Sequence, residues 1–383
     1  MGNPRLLPRA YQPRTGILPR RRLRSGLRAG SLNAQERQRE MRVSKDEVSM
    51  FRLVKKKDRR PVTLREHHSR RDRVLVKRRA GGFGDILMQR MMFEDMSKCF
   101  AGMQLDYCCP DSFIEFAMEN PFCRTIRLKD AIDRNYGAVY DITTACRVHE
   151  SKFGGDNSKH RSDIWAEHCG VVLERHEMHL PLDESLVKSA KATLDEDNYE
   201  CQPAVLLAPQ STLDDFGANK SLTDWQIKGL VSRLRGMGFW VYSVHSRHID
   251  ALTELGVKQF VNVTCDSWKY LTAAADYVIS VDTGTFHLAG GMRAPLVGVF
   301  TFTDGKVYGK YYDFVLVQKH RDNGDWACGP CFVKDACPKS KAALKPCLTE
   351  LSVDSIMEGF RKALVKWPSE RSARKAEAAR LPL

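Results

Sequence analysis

The sequence predicts an α/β chain in which two Rossmann-like domains face a cleft, behind a basic, disordered N-terminal arm. Three observations carry that reading. Apolar, β-branched runs alternate with helix-length stretches from Arg73 to Val365, the pattern of parallel strands buried on both faces. Two of these runs end in a glycine turn that opens a helix: Gly81-Gly82-Phe83-Gly84-Asp85 in the first half and Asp282-Thr283-Gly284 in the second. The formal charge of +14 lies wholly in residues 1–72, which hold 21 Lys/Arg against 7 Asp/Glu; the remainder carries 40 of each.

The arm comes first. Arg20-Arg21-Arg22, Lys55-Lys56-Lys57 and Arg59-Arg60 stand among prolines with little apolar periodicity, too little to bury a core. A solvated, disordered arm is one reading. Electrostatic attachment to anionic lipid or nucleic acid is another. A third places the true start at Met41 or Met50. The arm is too poor in Ser and Thr for an organellar transit peptide, and it has no apolar segment of a secretory signal. No apolar run in the chain nears the roughly 18 residues of a membrane span. Twelve cysteines without a signal peptide point to a reducing, cytoplasmic compartment.

The first domain is expected over residues 73–197. Arg73 to Lys77 reads as its first strand. The glycine turn follows, then an apolar helix from about Ile86 to Cys99. Met103 to Pro110 is a second strand, Asp111 to Glu119 a helix stopped by Asn120-Pro121, and Thr125 to Leu128 and Gly137 to Ile142 are further strands. Thr143 to Ala166, with Arg147, His149, His160, Arg161 and Asp163, reads as a polar loop. A charged helical stretch from Leu182 to about Gln202 joins the halves.

The second domain is expected over 198–365, with a basic tail at 366–383. Ala204 to Pro209 restarts the strands. Thr223 is an N-cap for a helix carrying Trp225, Ile227, Leu230, Val231 and Leu234 at helical spacing, with Trp225 expected in the core. Phe239 to Val244, Val261 to Val263 and Tyr277 to Val281 follow as strands. After the last, Asp282-Thr283-Gly284 turns into a small-residue helix, and Pro295 to Phe300 is the next strand. Such a helix start presents unpaired amides and a partial positive charge, which suit phosphate; a ligand-free βαβ crossover has the same local pattern.

Asp282-Thr283-Gly284-x-x-His287-Leu288-Ala289, followed by Ala294 to Phe300 and Thr303-Asp304, resembles the nucleotide-sugar site of glycosyltransferase family 9. The founding members of this heptosyltransferase-like family build the lipopolysaccharide core. Gly84-Asp85-Ile86 resembles the family's opening Gly-Asp-Val/Ile, whose Asp is regarded as the catalytic base; Gly81-Gly82 stands where some members carry serines. Lys220 matches by position a lysine that meets donor phosphate, and the polar stretch from Thr143 to Ala166, besides its reading as a loop, stands where the family faces the acceptor. The resemblance spans roughly 73–365 and implies a B-type glycosyltransferase architecture.

It further implies an inverting transfer of a sugar, heptose or similar, from a nucleotide-diphospho-sugar (an ADP-sugar) to a glycan or glycolipid hydroxyl. Asp85 would be the base, with Asp141 or His160 next to try. Gly82, Gly84, Lys220, Asp282, Thr283, Gly284 and His287 would bind donor. No cofactor is implied for catalysis, and the expected place is the cytoplasm, with peripheral contact of the arm with anionic lipid at the inner membrane face as a further reading. Two other classes stand beside this one: a nucleotide-sugar epimerase of the same architecture, and an inactive fold binding nucleic acid through its arm. The neutral body argues against the last.

Cys328-x-x-Cys331, with Cys337 and Cys347, matches tetrahedral zinc ligation in kind, although the nine-residue last gap departs from a paired second knuckle. Structural zinc, unliganded thiols and redox pairing all fit the spacing. Several family members carry a similar segment.

Overall fold

The structure is a computed structural model that describes residues 72–212, 215–301, 303–318, 337 and 344–369. The described residues all lie in one compact unit of the chain. They build two parallel sheets.

The first sheet comes from β1 (Arg73–Lys77), β2 (Gln104–Cys109), β3 (Arg124–Arg127) and β4 (Ala138–Asp141). Its order is β3-β2-β1-β4, every pair parallel. β1 is buried at every residue, as its apolar run requires of a strand covered on both faces. Between the strands run α1 (Phe83–Arg90), α2 (Phe93–Cys99) and the short α3 (Ile114–Ala117). After β4 come α4 (Ala145–Phe153), α5 (Arg161–His168) and α6 (Glu184–Asp197).

The second sheet holds β5 (Ala204–Ala208), β6 (Trp240–His245), β7 (Lys258–Val261), β8 (Tyr277–Val281), β9 (Leu296–Phe300) and β10 (Val315–Gln318). Its order is β10-β9-β8-β5-β6-β7, again all parallel. Its helices are α7 (Asp215–Ala218), α8 (Asp224–Gly236), α9 (Asp250–Glu254), α10 (Cys265–Ala273), α11 (Gly284–Gly291), α12 (Gly305–Tyr308), α13 (Pro346–Thr349) and α14 (Val353–Lys366). Leu207, Leu230, Leu234, Ile279, Val297 and Phe360 share one buried cluster between sheet and helices. Among the described residues no helix is long and apolar enough to cross a membrane.

Three local expectations need correction. The single helix from Ile86 to Cys99 is two, because Met91 and Met92 donate to the carbonyls of Met88 and Gln89, three residues back, and tighten the turn there. The polar stretch 143–166 is not a loop: it folds into α4 and the start of α5, whose buried faces carry Cys146, Glu150, Ile164 and Trp165. Trp225 is 54% exposed rather than core, since α8 buries the face of Gln226, Ile227, Leu230, Val231 and Leu234.

A candidate active site between the two sheets

Each sheet has one place where successive connections leave in opposite directions. In the first it lies between β1 and β4, in the second between β5 and β8. Crevices outside the carboxyl ends of strands at such points are where open α/β sheets bind ligands. The two glycine turns leave from these points and meet.

The first turn follows β1. Gly81 has φ +141, a conformation that strains other residues, and a Cβ there would lie 2.7 Å from Arg78 Nη2 and 2.8 Å from Asp85 Oδ2. Gly82 is the extended N-cap of α1, and Asp85 lies in the first turn. A Cβ on Gly84 would come within 2.9 Å of His287 Cδ2, so only glycine lets α1 sit this close to α11. Gly284, the first residue of α11, faces Phe83 and Gly84.

Asp85 is nearly buried between two arginines. Arg78 Nη2 donates to Oδ2 at 2.7 Å, and Arg161 Nη1 to Oδ1 at 2.8 Å. Arg78 is itself held by the carbonyls of Ile142 and Thr143, at 3.3 and 2.8 Å, just past β4. Burial raises the Asp85 pKa, but the Arg161 and Arg78 charges outweigh it, and the carboxyl sits below its ordinary value. Asp85 is therefore ionised at neutral pH.

The second turn follows β8. Thr283 is the extended N-cap of α11, and no acidic residue occupies that helix's first turn. Asp282 is buried beneath it. Lys220 Nζ lies 2.8 Å from Asp282 Oδ2, which also accepts from Thr303 Oγ1 at 2.9 Å. Burial opposes ionisation of Asp282, and Lys220 more than offsets it, so its pKa is well below the usual range. His287 Nε2 is 3.7 Å from Asp282 Oδ1, and its Nδ1 pairs with Tyr312 Oη at 3.1 Å.

The fold thus gathers Gly84, Asp85, Gly284 and His287 at one junction, with Lys220, Asp282 and Thr283 alongside. The sequence marks Arg161 only as one charge of a polar stretch and Arg78 only as part of the first turn, and it gives Glu150, Tyr308 and Tyr312 no role. Their only signal was density: charges between Arg147 and Asp163, and tyrosines after Thr303-Asp304. Asp141 is spoken for by Arg79 at 2.9 Å. His160 is fully buried, its Nδ1 paired with Ser162 Oγ at 2.7 Å and its pKa pushed down to about 3 by burial. A separate cleft of about 520 Å³ opens at the far end of α11, lined by His176, Arg293 and Tyr311 among others; it includes neither glycine turn.

Cys328 and Cys331 lie outside the described residues. Cys337 and Cys347 are partly buried, and among the described residues no three His, Cys, Asp or Glu side chains gather as a metal site would require.

Residues 261–339 match the model of glycosyltransferase family 9 (heptosyltransferase). This stretch contains β8, α11 and β9, the part of the chain whose pattern resembled the family most. Solved structures agree in fold. E. coli ADP-heptose lipopolysaccharide heptosyltransferase II is similar over 78% of this chain and 100% of its own, at 12% identity and TM-score 0.52. A family 9 glycosyltransferase from Veillonella parvula matches over 77% and 97%, at 10% identity and TM-score 0.56. TibC, an iron-containing dodecameric glycosyltransferase of enterotoxigenic E. coli, matches over 78% and 77%, at 16% identity and TM-score 0.55. No curated protein matches the sequence. The two parallel sheets are the B-type glycosyltransferase architecture that these structures share.

Proposed function

We propose that the chain is an inverting glycosyltransferase that moves a sugar, heptose or similar, from a nucleotide-diphospho-sugar to a glycan or glycolipid hydroxyl. One observation carries the reading: an ionised carboxylate, Asp85, at the switch point of one sheet faces a helix N-terminus with a lysine and a histidine at the switch point of the other. A solved complex of TibC, described as a heptosyltransferase, holds ADP-D-β-D-heptose, which favours an ADP-sugar donor.

The diphosphate would rest on the free amides of Thr283 and Gly284, where the α11 dipole favours negative charge. Lys220 and His287 add cationic or donor groups beside it. Asp85 takes the proton of the acceptor hydroxyl as that oxygen bonds to the anomeric carbon. The bond from that carbon to the diphosphate oxygen breaks on the opposite face, and its electron pair leaves with the diphosphate. These groups stabilise the charge that develops there.

Calorimetric titration of ADP and a panel of ADP-sugars, followed by mass spectrometry of the products with candidate glycan acceptors, tests the reading. A transferred sugar supports it; a stereochemically altered or free sugar made without acceptor supports an epimerase instead. We also propose a cytoplasmic location, contact of the arm with anionic membrane, and structural zinc on Cys328, Cys331, Cys337 and Cys347. Vesicle sedimentation and metal analysis of Cys337→Ser against wild type test the last two.

A further inference from the structure

We propose that Arg161 is a positioning residue for Asp85, aimed by Glu150 on its own side and by Tyr308 from the opposite sheet's lobe. The inference rests on Asp85 being the base. Arg161 spends its planar fork in two directions: Nη1 meets Asp85 Oδ1 at 2.8 Å, while Nε and Nη2 grip the Glu150 carboxylate at 2.7 and 2.9 Å. A bidentate grip of that kind fixes the plane of the guanidinium, which a lysine cannot do. The Glu150 side chain is 3% exposed and accepts the Tyr308 hydroxyl at 3.1 Å. The guanidinium also lies over the Tyr308 ring, 5.3 Å from its centroid. Glu150 sits on α4, Arg161 on α5 and Tyr308 on α12, so elements from both lobes fix the guanidinium that alone reaches Asp85 Oδ1.

The other oxygen is set by Arg78 alone, through carbonyls of the first lobe. With one arginine on each oxygen, the carboxylate is fixed in plane. Each oxygen keeps a further lone pair for a hydroxyl proton. The groups facing Asp85 are Arg78, Arg161 and His287, with Glu150, Cys146 and Tyr308 behind Arg161. Removing Arg161 leaves two carboxylates near one arginine, which favours protonation of Asp85.

The test measures ADP release from ADP-heptose, with water as acceptor, over about pH 4 to 9, and ADP affinity by calorimetry. Two arginines hold the Asp85 carboxyl below its ordinary value, so the wild-type acid limb lies at or beneath the acid end of this range and the rate is flat over most of it. In Arg161→Gln that limb moves up by about one to three pH units, the size of a lost opposite charge at this range. ADP affinity stays within about twofold, because Lys220 and the Thr283 turn are untouched. Tyr308→Phe, which loses one hydroxyl, shifts the limb less and in the same direction, and Arg161→Lys recovers part of the shift. A folded Arg161→Gln or Tyr308→Phe with the wild-type limb overturns the proposal. If wild type releases no ADP, or Asp85→Asn keeps the wild-type profile, the base reading itself fails and the proposal with it.

Discussion

At the residue scale, Asp85 and His160 make opposite uses of burial. Asp85 stays charged because two arginines offset its desolvation; His160 is pushed to about 3 and stays neutral. Asp85→Asn is nearly isosteric, so ADP affinity should hold while transfer falls by about 100- to 10,000-fold, as for loss of a positioned base. Steady-state kinetics beside calorimetry checks this. Unfolded histidine binds a proton below its ordinary value of 6.5, and folded His160 does not until about 3. The unfolded state therefore binds more protons in that window, and stability is lost as pH falls through it, by roughly 1.4 kcal/mol per unit. His160→Asn keeps an N-cap acceptor for α5, so its melting temperature should depend less steeply on pH between about 6.5 and 3. Equal slopes would show that the burial of His160 has no such consequence. The glycine turns, Asp85 and Lys220 were legible in the sequence because glycine geometry and helix starts are local. Arg161 was not: its partners lie 76 and 11 residues away, and nothing in a polar stretch says which charge is buried.

At the element scale, the strands were legible because the central ones are apolar runs broken by no more than single residues such as Asp106 in β2 and Ser280 in β8. Helices such as α4 and α5 were not, because one buried stripe among charges gives a weak period. The helix α8 shows how a polar residue can nonetheless lock an element. Gln226 is fully buried; its Oε1 accepts from the Thr223 amide at 2.8 Å, and its Nε2 donates to the carbonyls of Leu348 and Leu351 at 3.0 and 2.7 Å. One side chain thus caps α8 and ties it to the segment leading into α14. Gln226→Leu keeps the volume but takes the side-chain partner from the Thr223 amide and the Leu351 carbonyl, while the Leu348 carbonyl keeps the Leu351 N–H at 3.1 Å. Each such group costs about 1–3 kcal/mol, so the variant should lose several kcal/mol in urea unfolding. A loss below about 1 kcal/mol would mean that the segment simply shifts to find other partners.

At the scale of the whole molecule, the basic excess lies in residues 1–72, ahead of β1 in the sequence, so a chain begun at Asp72 should remain soluble and bind ADP as the full chain does. The sheets themselves are clasped at a second point besides the glycine turns. Phe83 of α1 packs 5.7 Å from the Trp268 ring, and Trp268 Nε1 donates to Thr285 Oγ1 of α11. Next to it Lys269, 1% exposed, donates from α10 to both oxygens of Glu119 beyond α3, at 2.7 and 2.8 Å. Taking such a pair out of water costs nearly what its attraction returns, so the pair specifies how the lobes meet more than it adds stability. Removing one partner is a different matter, because it leaves the other charge desolvated and alone. Lys269→Met should therefore cost about 3–5 kcal/mol, and the double change Lys269→Met with Glu119→Leu should recover most of it. Denaturant unfolding of the two single variants and the double variant measures the coupling directly. If the double variant is as stable as wild type yet binds ADP-sugar poorly, the pair sets the alignment of the two switch points. If the singles and the double are all neutral, the glycine turns alone hold the lobes in register.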